Sequence, residues 1–166
     1  MAALTNYANL SHDQRDDEHA YALYSRALEE TWKLETATSL ARLCLLTNRL
    51  SRAEDLLNKI ISYHQPPHST AMVYLAQVKI QQRQYTASET LLRGVLKASP
   101  KHLEALYQLS LLYTATNRSD DALEVAREAA TACFDPGEQC AHLHAHYADL
   151  LHTLSLTDDA ITVNTA

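Results

Sequence analysis

The chain has 166 residues, a formal charge of −6, and 46% hydrophobic against 20% charged residues, the balance of a folded domain with a real core rather than of a disordered segment. Lys and Arg are scattered singly, so no phosphate-neutralising patch forms and nucleic acid is set aside as a partner. No apolar run is long enough to enter and cross a bilayer, and no charged-then-apolar leader opens the chain. The three cysteines, Cys44, Cys133 and Cys140, match no zinc or redox spacing, so they read as reduced thiols in a cytoplasmic protein.

With only two glycines and four prolines, helices are the expected element throughout. The first helix carries Leu4, Tyr7 and Ala8, the second Ala20, Tyr24 and Ala27, and the polar stretch 11–19 between them reads as the turn. A second pair spans 34–63 and ends at Pro66 and Pro67. A third places helices at 70–82 and 86–98, with Gln84 and Tyr85 in the turn and Pro100 as the stop. A fourth places them at 103–116 and 120–132, with Ser119 as N-cap and Pro136–Gly137 closing it. A fifth first-type helix covers 140–154, and its partner, beginning near Asp158, is cut short. That incomplete unit predicts a segment of a longer protein, or a C-terminal end that docks on a partner or on another copy as a homo-oligomer.

One distance recurs through all five units. Small residues stand 12 apart at Ala8/Ala20, Ala41/Ala53, Ala76/Ser88, Ser110/Ala122 and Ala148/Ala160, and successive pairs are offset by 33, 35, 34 and 38. Two antiparallel helices approach closely only where both side chains are short, so each pair predicts a helix crossing. A period near 34 predicts an all-α solenoid of antiparallel helix pairs, an α–α superhelix. The organisation expected is one domain, 1–166, with repeats at about 1–33, 34–68, 69–102, 103–138 and a partial 140–166.

These positions resemble the tetratricopeptide repeat family. The resemblance is carried by the stretch 71–85 followed by Ser88, Leu92, Val95 and Pro100, and by Ala105, Leu106, Leu109 and Ser110 with Tyr113, Ala122, Ala126 and Ala129. Asn6 to Leu10, Ala20, Tyr24, Ala27 and Leu28 repeat it at the start of the chain. Departures are a small residue other than glycine on every first helix, Lys79 at a place usually aromatic, and Ile60 and Val95 where Ala is usual.

The resemblance implies an interaction scaffold without catalytic activity or cofactor, binding a protein or peptide partner in a concave groove lined by first helices. An alternative is a regulatory or targeting module of a larger enzyme such as a transferase. Carried over by register, the groove residues are Asn6, Asn9, Thr38, Arg42, Leu45, Tyr74, Gln77, Ile80, Tyr107, Gln108, Leu111, His142 and His146, with Asp149 beside them. Tyrosine buries area at small entropy cost and amides meet a peptide backbone, while Leu45, Ile80 and Leu111 would form apolar pockets. A carboxylate clamp of the chaperone-binding branch needs several converging cations, and Arg42 is the one basic inward residue, so that specificity is not expected.

The run Cys140-Ala-His-Leu-His-Ala-His146 puts His142 and His146 on one helix face with Asp149 three residues on, a set that could hold zinc or nickel. Solvated or groove-facing histidines are the simpler account, and no metal is expected. No phosphate loop or nucleophile elbow is present. The acidic clusters at 16–18, 120–121 and 158–159 fall at helix starts, where negative charge is favourable.

Overall fold

The computed structural model describes the backbone of residues 2–64, 67–133 and 138–164, and of these the side chains outside 2–3, 138–139 and 155–164. Among the described residues there are nine α-helices and no strand. They are α1 (Ala2–Asp13), α2 (Asp17–Glu30), α3 (Leu34–Leu46), α4 (Leu50–Tyr63), α5 (Ser69–Gln81), α6 (Tyr85–Ala98), α7 (Leu103–Ala115), α8 (Ser119–Ala132) and α9 (Glu138–Asn164). The chain forms two compact units, Met1–Gln84 and Tyr85–Ala166.

Within the first unit α1 packs on α2, α2 on α3, α3 on α4, and α5 on both α3 and α4. The small residues do what their spacing predicts: Ala8, Ala20, Ala41 and Ala53 are fully buried. In the second unit α7 packs on α6 and α8, and α8 on α9. Ser110 and Ala122 are fully buried there, and the Ser110 hydroxyl donates to the Ala122 carbonyl at 3.0 Å. Ala76 and Ser88, one in each unit, are also fully buried.

Four turns share one geometry. Arg15, Asn48, Arg83 and Asn117 each take a left-handed φ near 60°, and each stands seven residues after its unit's small residue. The N–H after each reaches back to close the helix: Asp16 to Ser11, Arg49 to Cys44, Gln84 to Lys79 and Arg118 to Tyr113. Such caps satisfy carbonyls that would otherwise be orphaned at the helix end. Asn tolerates this conformation, whereas Arg15 and Arg83 occupy it against a steric penalty.

Several boundaries depart from the sequence expectation. The first turn is confined to residues 14–16, since α1 continues to Asp13 and Asp16 caps α2 by accepting from the His19 N–H. Tyr85 is the first residue of α6 rather than part of a turn. Ser119 lies inside α8, whose N-cap is Arg118 without a side-chain cap bond. His68 and His102 cap α5 and α7 through Nδ1, accepting from Ala71 and Ala105. Histidine is not among the preferred caps, so residue type alone does not point to this role.

The largest departure is α9. It runs unbroken for 27 residues where the repeat pattern predicts a turn after Leu154. At the register of the other turns stands Ser155, followed by Leu156, and neither supplies the asparagine or glycine that favours a left-handed stop. Ala148 is exposed, unlike the other four first-helix small residues. Pro66, Pro136 and Gly137, and the side chains of Asp158, Asp159 and Ala160, lie outside the described residues.

Cys133 and Cys140 form a disulfide with a Cα separation of 5.6 Å, which overturns the reduced thiols expected at these positions and removes that support for a cytoplasmic location. Cys44 remains free, and burial pushes its thiol up to about 11, far from the thiolate that reacts. Among the described residues, no helix is long and apolar enough to cross a membrane.

Candidate functional site

In the second unit α7 and α9 bring expected site residues together. Leu106 and Leu143 pack with Ala129 in one core, with Tyr107, Val125 and Cys133 against it, so α9 is held with His142 and His146 beside Tyr107. The Tyr107 ring meets His142 edge-on at 4.9 Å between centroids and His146 at 5.1 Å, a favourable arrangement for quadrupolar rings. The Tyr107 hydroxyl and His142 Nε2 stand 3.5 Å apart.

His146 Nε2 lies 3.0 Å from Ser110 Oγ. The single Ser110 hydrogen is donated to the Ala122 carbonyl, so Nε2 must carry the proton of the other bond, and His146 is the Nε2–H tautomer. Burial, then the neighbouring His142, push its pKa below the ordinary value of 6.5, against the opposing pull of Asp149. Burial, then Glu104, push the Tyr107 phenol up. His146 and Tyr107 are therefore both uncharged, hydrogen-bond-bearing rings at neutral pH.

Gln108 donates to Glu104 at 3.0 Å on the same helix, and Leu111 is half-buried. Asp149 is exposed, and among the described residues no three His, Cys, Asp or Glu stand close enough to hold a metal ion. His142, His146 and Asp149 are thus not brought together as a ligand set.

In the first unit the expected residues are distributed over α1, α3 and α5. Asn6 is exposed, and so is Asn9, whose carbonyl accepts the Tyr24 hydroxyl. That bond gives Asn9 an internal role, fixing α1 to α2. Burial raises the Tyr24 phenol, while the Arg42 charge and a bond from Ser39 pull it down, which places the exposed Arg42 beside this cluster. Thr38 donates to the Leu34 carbonyl. Leu45, Tyr74, Gln77 and Ile80 are all half-buried.

Two features are not evident from residue spacing. Ser110, in sequence a packing residue alone, also fixes the tautomer of a site histidine. Lys79, in sequence only a departure from the repeat pattern, donates to Glu54 on α4 and to Gln82, and Gln82 donates to the other Glu54 oxygen at 2.8 Å. A lysine at an aromatic place, with a glutamate directly after the preceding unit's second small residue, is the signal that points to this joint.

Residues 73–138 match the family model described as Tetratricopeptide repeat. No curated protein matches the chain in sequence. Among solved structures it is similar to a thermophilic TPR protein of Thermus thermophilus, with a TM-score of 0.77 and 17% identity over 97% of this chain and 86% of that one. A tetratricopeptide repeat protein of Parabacteroides merdae gives a TM-score of 0.78 and 20% identity, covering 97% of this chain and 61% of that one. MamA gives 0.68 and 17% over 93% of this chain and 88% of that one. At such identities the likeness is one of fold, and that fold is the α–α superhelix class of antiparallel helix pairs.

Proposed function

We propose that this chain, a tetratricopeptide repeat protein, is a protein–protein interaction module rather than an enzyme, and that the α7–α9 face receives an extended segment of its partner. The observation that carries this reading is Tyr107 held edge-on between His142 and His146. A large ring already ordered by its neighbours loses little entropy on binding. Leu111 beside it offers apolar surface, and Gln108 offers an amide. Tyr74, Gln77 and Ile80 on α5 supply the same residue types in the first unit, with Arg42 and Leu45 on α3 and Asn6 and Asn9 on α1. Repeat folds are defined by packing positions, so the partner's identity must come from these variable ones.

The test is a peptide library displayed on phage and selected on the immobilised protein, with chosen peptides then titrated calorimetrically. Tyr107→Ala, with Tyr74→Ala beside it, is expected to cost more than about 1 kcal/mol, or fivefold or more in Kd, at unchanged helicity. Peptides that bind both variants at full strength would remove these faces from the account.

A further inference from the structure

Between α6 and α8, both of which pack on α7, runs an open cleft of about 350 Å³. Leu106 and Leu109 of α7 form its floor, with Leu96 of α6 and Val125 of α8 half-buried on either side. The two walls differ in sign. Arg93 and Lys97 stand about one helical turn apart on the α6 side, and Asp121, Glu124 and Glu128 spread over about two turns on the α8 side. Arg93 is already held by Glu89 and the Tyr113 hydroxyl, and Asp121 by Arg118. Lys97, Glu124 and Glu128 are exposed and form no ion pair among the described residues.

The fold alone does not require that division of charge. The first unit has a cleft at the same repeat positions, of about 190 Å³, between α2 and α4. Leu28 and Leu56 stand there as Leu96 and Val125 do in the second unit. The α2 side carries Ser25 and Glu29 in place of the two cations, and the α4 side mixes Arg52 and Lys59 with Asp55. Trp32 also lines this cleft, with the Lys59 ammonium 3.9 Å from its ring centre. Packing thus keeps the apolar positions and leaves the charges to vary, so the segregated walls of the α6–α8 cleft belong to its surface chemistry, where charge selects partners.

We infer that the α6–α8 cleft docks an amphipathic helix of a partner protein, with an apolar stripe on the floor, carboxylates along the Lys97 side and cations along the Glu124 and Glu128 side. Charge complementarity sets the flanks. The floor sets the conformation: its aliphatic side chains offer no hydrogen bond, and the Tyr113 hydroxyl beside them is taken by Glu89 and Arg93. An extended segment would bury unsatisfied backbone groups there, whereas a helix satisfies its own. The α8 wall is about 10 Å long at 1.5 Å per residue, the reach of a helix whose apolar residues stand at i, i+4 and i+7. Leu109 lies about 200° round α7 from Tyr107, and Tyr107 does not line the cleft, so this inference does not rest on the Tyr107 reading.

The probes are three synthetic helix-stapled peptides with one leucine stripe and different flanks: Glu on one side and Lys on the other, Glu on both, or Lys on both. Each is fluorescently labelled and titrated with the full chain by anisotropy. The mixed-flank helix is expected to bind at least about fivefold tighter than either single-sign helix, by a margin that added salt narrows. Lys97→Glu, and separately Glu124→Lys with Glu128→Lys, are expected to weaken it by about threefold or more. All three positions are exposed, and unchanged helical circular dichroism would show that the variants are folded. The inference is overturned by no saturable binding of any peptide, by equal binding of all three, or by mixed-flank binding indifferent to both sets of substitutions. Equal binding of an unstapled, proline-interrupted mixed peptide would also overturn it, since the occupant would then be an extended segment.

Discussion

Two joints between successive helix pairs, one in each unit, stand at the same repeat positions and use different chemistry. In the first unit Glu54, on α4, accepts from Lys79 and Gln82. In the second Glu89, on α6, accepts from the Tyr113 hydroxyl at 2.9 Å and from Arg93 and Arg118. Glu54 follows Ala53 as Glu89 follows Ser88, and Lys79 stands three residues after Ala76 as Tyr113 does after Ser110. The common element is a carboxylate reaching forward to the next first helix. The donor that meets it can be an ammonium or a phenol, and a phenol brings its ring, on which Arg118 stacks. Lys79, at 15% exposure, thus satisfies a bond that a tyrosine satisfies elsewhere.

The strongest break in this equivalence is removal of either carboxylate. Glu54→Ala leaves the half-buried Lys79 without its anion and is expected to cost about 2 kcal/mol, read by the fluorescence of Trp32, which lies in the first unit. Glu89→Ala is expected to cost a similar amount, read by helical circular dichroism. Equality of the two losses would support one joint in two chemistries.

Next in size is the exchange itself. Lys79→Tyr should stay within about 1 kcal/mol of the parent, since the phenol can donate to Glu54, whereas Lys79→Ala should fall further. In the converse test, Tyr113→Phe keeps the ring under Arg118 and loses the hydroxyl's bonds, for about 1 kcal/mol in denaturant melts. A Lys79→Tyr protein less stable than Lys79→Ala would show that the joints are not interchangeable.

Acid should separate the units by degree. Lys79 and Gln82 hold the Glu54 carboxyl below its usual value of 4.5. Burial pushes Glu89 up, but bonds from Tyr113, Arg93 and Arg118 outweigh it and hold it below 4.5 as well. Groups lowered on folding contribute stability above their unfolded pKa and lose it as pH falls through the folded value, so both joints weaken only below about pH 4.5. His146 is also lowered, but its neutral form is the one favoured by folding. Its contribution is lost as pH drops below 6.5, the ordinary imidazole value. The second unit should therefore soften first as pH falls below 6.5, and His146→Gln should flatten that part of the melting-temperature profile.

The smallest effect concerns the turns. Arg83→Gly should stabilise the first unit by about 0.5 kcal/mol, the relief of a left-handed arginine set against the greater freedom of glycine when unfolded. The same change at Asn117 should gain less, because asparagine already tolerates that conformation.

The residues themselves determined the helix pairs, the Ala8/Ala20, Ala41/Ala53 and Ser110/Ala122 positions and the repeat length, because close helix crossing demands short side chains at fixed spacing and few residues meet that demand. The same register placed Tyr107, His142 and His146 on first-type helices, but that their rings meet came only from the tertiary structure. Only the tertiary structure decided that Asn9 is occupied by Tyr24, that Ser110 sets the His146 tautomer, that Cys133 and Cys140 are joined, and that α9 continues past Leu154. Each of these turns on which groups distant in the chain come within bonding reach, or on whether a weak local stop is reinforced by a partner helix, and no periodicity along a chain encodes that.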